Sequence, residues 1–211
     1  MAIMVLAALS LSPRALAALV TEQNNTSYAI PDNSPNSGAS SGVYVSSGDV
    51  SGIVNPCVVG VSLTFTITGG WDSDYTLVLK HLSDDGLTSQ SATLFSALGG
   101  YANSGFNNVT ATSGSGSLIG ASSTYTTTPI SGVLGLVNFS TFQNIAPTGD
   151  WILYATDNAG GFNGTLGGWA LNLDVVPEPV NVALGIFGGV LGLVALQRKL
   201  KLGKPKAVIQ S

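Results

Sequence analysis

Charge, histidine and cysteine are all scarce in this sequence, and each scarcity excludes something. Only 9% of the 211 residues are charged, against about a quarter in ordinary globular domains. Basic residues are the scarcest where a domain would lie. Of seven Lys and Arg, five (Arg198, Lys199, Lys201, Lys204 and Lys206) follow an apolar C-terminal run, and Arg14 sits in the N-terminal apolar stretch. Lys80 is then the only base between Leu19 and Val176, a span that holds ten acids. Counted as unperturbed charges that is about −9, a balance that repels phosphate backbones and argues against nucleic-acid binding.

Cys57 is the sole cysteine, so no internal disulfide can form. Within Cys57-Val58-Val59 it reads as a small buried hydrophobe, with a reactive or intermolecular thiol as the alternative. His81 is the sole histidine. One His and one Cys do not make a zinc cluster. No G-x-S-x-G motif marks a nucleophile, so His81 is expected as an exposed residue at a strand end. Two carboxylates across a cleft would suit a glycosidase, but any two of ten acids meet that description. A sustained helical period is also missing between residues 20 and 175.

What the sequence does hold begins at its two ends. Residues 1–18 read as a secretory signal peptide, with an apolar core and the small-residue pattern Ala15-Leu16-Ala17 before a cleavage point after Ala17 or Ala18. No Lys or Arg precedes the apolar core, so either the start lies further upstream or the signal is weak. Export through the Sec translocon is expected. At the other end, Val180 to Leu196 carries no charge. These 17 residues would span about 25 Å as a helix, the short end of what crosses a bilayer. Arg198, Lys199 and Lys201 follow as a basic anchor that stays on the cytoplasmic side.

Val176-Pro177-Glu178-Pro179, the apolar run 180–196 and the basic tail 197–211 together resemble the PEP-CTERM sorting signal of Gram-negative bacteria that make extracellular polysaccharide. The resemblance implies that exosortase, a membrane transpeptidase-like enzyme, recognises the tripeptide and that this chain is its substrate. It further implies an exported protein, anchored in the inner membrane before processing and delivered afterwards to the cell surface or extracellular matrix. The tail beyond Leu202 is longer than that family's usual few residues. Two prolines hold the peptide extended up to position 179, which predicts an exposed, rigid motif just ahead of the helix.

Between the ends, residues 19–41 read as a polar lead-in and 42–175 as one domain. Short runs alternate with period two between Gly, Asn and Asp clusters. Val59, Val61, Leu63, Phe65 and Ile67 share one face; Tyr75, Leu77 and Leu79 repeat the pattern, as do Trp169, Leu171, Leu173 and Val175. Residues 151–155 and 133–139 are further strand candidates. The expected fold is all-β, an antiparallel β-sandwich of jelly-roll form, followed by one transmembrane helix.

Gly149-Asp150-Trp151-Ile152-Leu153, then Asp157, Gly164-Thr165-Leu166 and Trp169-Ala170-Leu171 resemble the closing strands of the proprotein convertase P-domain. Upstream, Trp71 to Asp74 replace that family's His-Thr and Gly-Asp elements. The resemblance implies a jelly-roll accessory module, some members of which bind structural calcium through related loops.

Asp72, Asp74 and Asp157 are the candidate calcium ligands, since hard cations take carboxylate and loop carbonyl oxygens; turn and Asx-cap roles are the alternative. Trp71, Tyr101 and Phe106 are candidate ligand contacts, whereas Trp151 and Trp169 read as core. The expected function is that of a non-catalytic surface or matrix protein associated with exopolysaccharide. A calcium-dependent carbohydrate- or protein-binding module is the alternative, and a hydrolase comes third.

Overall fold

The computed structural model describes residues 17–34, 36, 38–98 and 101–202, with side chains of 179–186 and 199–202 not described. The expected signal peptide therefore lies outside the described residues except for Ala17 and Ala18, and so does the tail from 203 onward.

Eleven strands form among the described residues: β1 (Ala18–Asn24), β2 (Tyr28–Ile30), β3 (Ala39–Val45), β4 (Pro56–Gly69), β5 (Tyr75–Ser83), β6 (Ser89–Ser96), β7 (Gly105–Thr112), β8 (Leu118–Ile119), β9 (Ser131–Leu134), β10 (Gly149–Asp157) and β11 (Gly164–Pro177). One sheet runs β1-β11-β4-β7-β9-β8, with β2 also paired to β11, and the other runs β3-β10-β5-β6. The pairings are antiparallel apart from β7 with β9 and two isolated parallel bridges. The result is a two-sheet β-sandwich.

Alternation builds its core. Val61, Leu63, Phe65 and Ile67 of β4 face inward against Leu171 and Leu173 of β11 and, from the opposite sheet, Tyr75, Leu77, Leu79, Trp151 and Leu153; all are buried. Phe65 meets Phe95 across the sheets at 6.1 Å between ring centroids. Trp169 donates its indole N–H to Ser41 Oγ of the other sheet at 3.0 Å. Burying a large apolar side chain contributes about 1.5–3 kcal/mol.

Two bulges adjust the expected faces. Asp174 pairs with Gly60 but Val175 pairs with Val58, so Val59 is an extra residue on β4. It is thereby turned outward, 42% exposed, instead of joining the inward face. A second shift at Gly167-Gly168 lets both Leu166 and Trp169 point inward although they lie an odd number of residues apart.

The expected polar lead-in is part of the sandwich. β1 pairs along β11 from Ala18↔Val175 to Asn24↔Trp169, and β2 pairs with its other end. The polar side chains of β1 sit on an edge strand whose outer face needs no apolar residue. The strand expected over 133–139 is shorter, since β9 ends at Leu134 and a 3₁₀ turn follows at Ser140–Phe142.

A helix, α1 (Pro179–Leu202), follows β11. Its described side chains, 187–198, are all exposed, Phe187, Val190, Leu191 and Leu196 among them. Among the described residues no helix is long and apolar enough to cross a membrane, so the transmembrane part of the expectation is not supported.

Candidate functional site

One end of the sandwich gathers most of the sequence-selected residues. The turn joining β4 to β5 begins at Gly69-Gly70, both with positive φ, and closes as a 3₁₀ turn over Asp72–Asp74. Gly70, at φ +66°, lies against the Tyr75 hydroxyl, where a Cβ has no room. Tyr75 is fully buried and donates that hydroxyl to Gly69 O at 3.1 Å.

Asp72 is fully buried. Its Oδ1 accepts N–H bonds from Ser73 at 2.9 Å and Asn103 at 3.0 Å, while Oδ2 has no partner among the described residues. Burial pushes its pKa up to about 6, against the opposing pull of those backbone N–H groups. Asn103 is also fully buried and ties three loops together. Its Nδ2 donates to Gly120 O at 2.7 Å and Thr128 O at 2.8 Å, and its Oδ1 accepts from Ser122 N at 2.8 Å. The sequence offered no sign of this role, because an Asn in an Asn-Ser-Gly stretch looks like any turn residue.

Asp157 closes β10 beside this turn and is buried, with Oδ1 accepting from Ala159 N at 3.1 Å and Oδ2 without a partner among the described residues. Burial raises its pKa, and the nearby Asp74 and Asp32 add to the rise. Asn158 binds the two loops by donating Nδ2 to Asp74 O at 2.7 Å. The exposed Asp32 takes the Gly161 N–H on both carboxylate oxygens, at 3.0 and 3.1 Å. The candidate calcium ligands thus share one end of the molecule, yet among the described residues no three acids, histidines or cysteines group as a metal site.

The candidate ligand contacts are distributed differently from expectation. Phe106 is buried in the core, 5.6 Å from Phe65 and 5.1 Å from Phe95 between centroids. β7 pairs it with the inward Ile67 of β4, and cross-strand partners share a face. Tyr101 is half-buried and packs against the core. Trp71 is half-buried and joined by two residues the sequence did not single out: Phe162 at 5.3 Å with planes 13° apart, and Tyr125 at 5.8 Å. Tyr125 and Phe162 are each 50% exposed. An aromatic residue inside a glycine-rich or Ser/Thr-rich loop, where no strand can bury it, was the available signal.

His81 is buried, contrary to expectation. β5 runs on to Ser83, so His81 lies inside the strand opposite Trp151, with ring centroids 4.5 Å apart and Nε2 3.0 Å from Thr148 O. Cys57 is buried as expected, and burial and Glu178 raise its pKa.

The Val-Pro-Glu-Pro motif is not the free peptide the sequence predicts. Val176 pairs with Cys57 and Pro177 with Pro56 as the last rungs of β11 on β4. Glu178 N–H then donates to Asn55 O at 2.9 Å. The two facing prolines supply no N–H donor at that rung, and the Glu178 bond follows it. Glu178 lines a cleft of about 540 Å³ together with Asn55, Cys57, Ser51 and Asn144. Arg198 is exposed; Lys199 and Lys201 lie in α1, where their side chains are not described.

No protein-family model matches this chain, and no curated protein matches it.

Proposed function

We propose that this chain is an exported surface or matrix protein, processed at its C-terminus by an exosortase-type enzyme, and that its sandwich is the non-catalytic part delivered to the exopolysaccharide layer. The observation that carries this reading is the junction at 176–179. There the last sheet rungs give way within one residue to a helix whose described side chains are exposed and mostly apolar from Phe187 to Leu196. A helix whose described side chains, 187–198, are exposed and mostly apolar needs another apolar environment, and Arg198 and its basic neighbours suit the surface of an anionic membrane.

The finer fold is a jelly roll of the P-domain kind. Its support is that the Gly149–Leu153 and Trp169–Leu171 segments occupy inner strands of opposite sheets, β10 and β11. The buried His81, held on Thr148 O and packed against Trp151, supports a non-catalytic sandwich.

The test is to express Glu178→Gln with Pro179→Ala, which leaves the Val176 and Pro177 rungs intact, and to follow mature mass and membrane retention in a host that carries an exosortase. Accumulation of an unprocessed, membrane-retained precursor is expected. Mature mass and retention identical to wild type overturn the reading.

A structural cation at the acidic end is a second reading, favoured by the buried, unpartnered Oδ2 atoms of Asp72 and Asp157. Bound calcium would stabilise the fold by mass action. A Tm that rises with millimolar calcium and falls with chelator is expected, and a Tm indifferent to both removes it.

A further inference from the structure

We propose that the cluster of the half-buried Trp71 with the half-exposed Tyr125 and Phe162 is a glycan-binding platform, taking the pyranose rings of a neutral polysaccharide, with Asp32 accepting hydroxyl hydrogen bonds at its rim. It deepens the reading above by naming a ligand surface, and rests on that reading only for where the polysaccharide comes from.

The three rings come from three separate loops and stand close to parallel. Trp71 and Phe162 are 13° apart, Tyr125 and Phe162 25° apart with centroids at 6.4 Å, and Trp71 and Tyr125 35° apart. At these separations the near-parallel rings lie partly over one another, so they brace each other and leave the solvent-facing halves of Tyr125 and Phe162 as the free surface. Such exposed aromatic surface suits the flat C–H face of a sugar.

Folding alone does not account for this placement. Trp151 and Trp169 are buried with their indole N–H groups bonded, to Pro147 O at 2.9 Å and Ser41 Oγ at 3.0 Å. Among the described residues the Trp71 N–H is buried without a partner, as are the Oδ2 atoms of Asp72 and Asp157. Leaving buried hydrogen bonds unmade is unfavourable, and local rules are broken most often where a site is being held in place.

The loops are also fixed in advance, which lowers the entropy lost on binding. Asn103 ties the Trp71 turn to the loop that carries Tyr125. Asp32 and Asn158 tie down the loop that carries Phe162. Charge selects among ligands. Asp32, Asp74 and Asp157 lie around this end and Lys80 is the domain's only base. Uronate or sulfate sugars are repelled, while the exposed Asp32 carboxylate can still accept from neutral hydroxyls.

Affinity electrophoresis of the full chain in mild detergent, through gels holding dextran, galactomannan or xylan, with alginate as the anionic control, tests this directly. Retardation by at least one neutral polysaccharide is expected, with none by alginate. Tyr125→Ala with Phe162→Ala should weaken it at least tenfold at unchanged Tm, whereas Tyr125→Phe retains it. Because Trp151 and Trp169 are buried, the ligand-induced change in tryptophan emission should vanish in Trp71→Phe. Failure of the folded chain to bind any neutral polysaccharide, stronger binding to alginate, or self-association abolished by the double variant would each overturn the proposal. Sorting is read in cells as mature mass and binding is read on purified protein, so either can fail alone.

Discussion

Asp72 and Asn103 hold each other through two hydrogen bonds, Asn103 N–H to Asp72 Oδ1 at 3.0 Å and Asp72 N–H to Asn103 O at 3.1 Å. The pair joins the β4–β5 turn to the chain leading into β7. With the side chain of Asn103 reaching Gly120, Ser122 and Thr128, one residue closes the loop end of the sandwich.

Asn103→Ala therefore leaves two carbonyls and one N–H without their partner. At about 1–3 kcal/mol for each buried group left unsatisfied, with solvent reaching some of them, a loss of about 2–3 kcal/mol is expected. Urea denaturation measures it. Hydrogen exchange should quicken at Ser122, whose N–H loses its acceptor, while β10 and β11 keep their protection.

The pH dependence of stability has a definite sign at this end. Asp72 has its folded-state pKa raised to about 6 by burial, and Asp157 is raised for the same reason. Between the unfolded value near 4 and about 6, the folded state binds more protons than the unfolded state, so stability falls as pH rises through that window. Lowering the pH from 7 to 5 should raise Tm in the absence of divalent cations. Asp72→Asn should raise Tm at pH 7 and flatten most of that slope. A slope unchanged in the variant would place the titration elsewhere.

Gly164 begins β11 against the Tyr75 hydroxyl, and a Cβ there would overlap it. Gly164→Ala is expected to cost about 1–3 kcal/mol by overpacking. Adding Tyr75→Phe removes the obstructing oxygen, so the double variant should be less destabilised than the two single losses together. Thermal melts of the four proteins give the coupling directly.

Much of the fold was legible because strand alternation is a local property. The inward residues of β5, β10 and β11 and most of β4 follow from a period of two, and the apolar run after Pro179 produced a helix. Val59 departed because a bulge on the partner pairing shifted it, which its own neighbours cannot reveal. β1 departed because this mostly polar edge strand, with Val20 its one core residue, gets its order from pairing with β11, and β2 departed because three residues are too few to show alternation.

The sequence by itself determined an acidic, β-rich domain with a Pro-Glu-Pro junction and a basic, apolar end, because composition and short-range periodicity are written residue by residue. Only the tertiary structure decided that Val176 and Pro177 are rungs of the sheet, that Phe106 and His81 are buried, and that Trp71 stands with Tyr125 and Phe162. Those three rings are separated by dozens of residues in the chain. Strand order in two sheets brings their loops to one end, and no local pattern encodes which loops will meet.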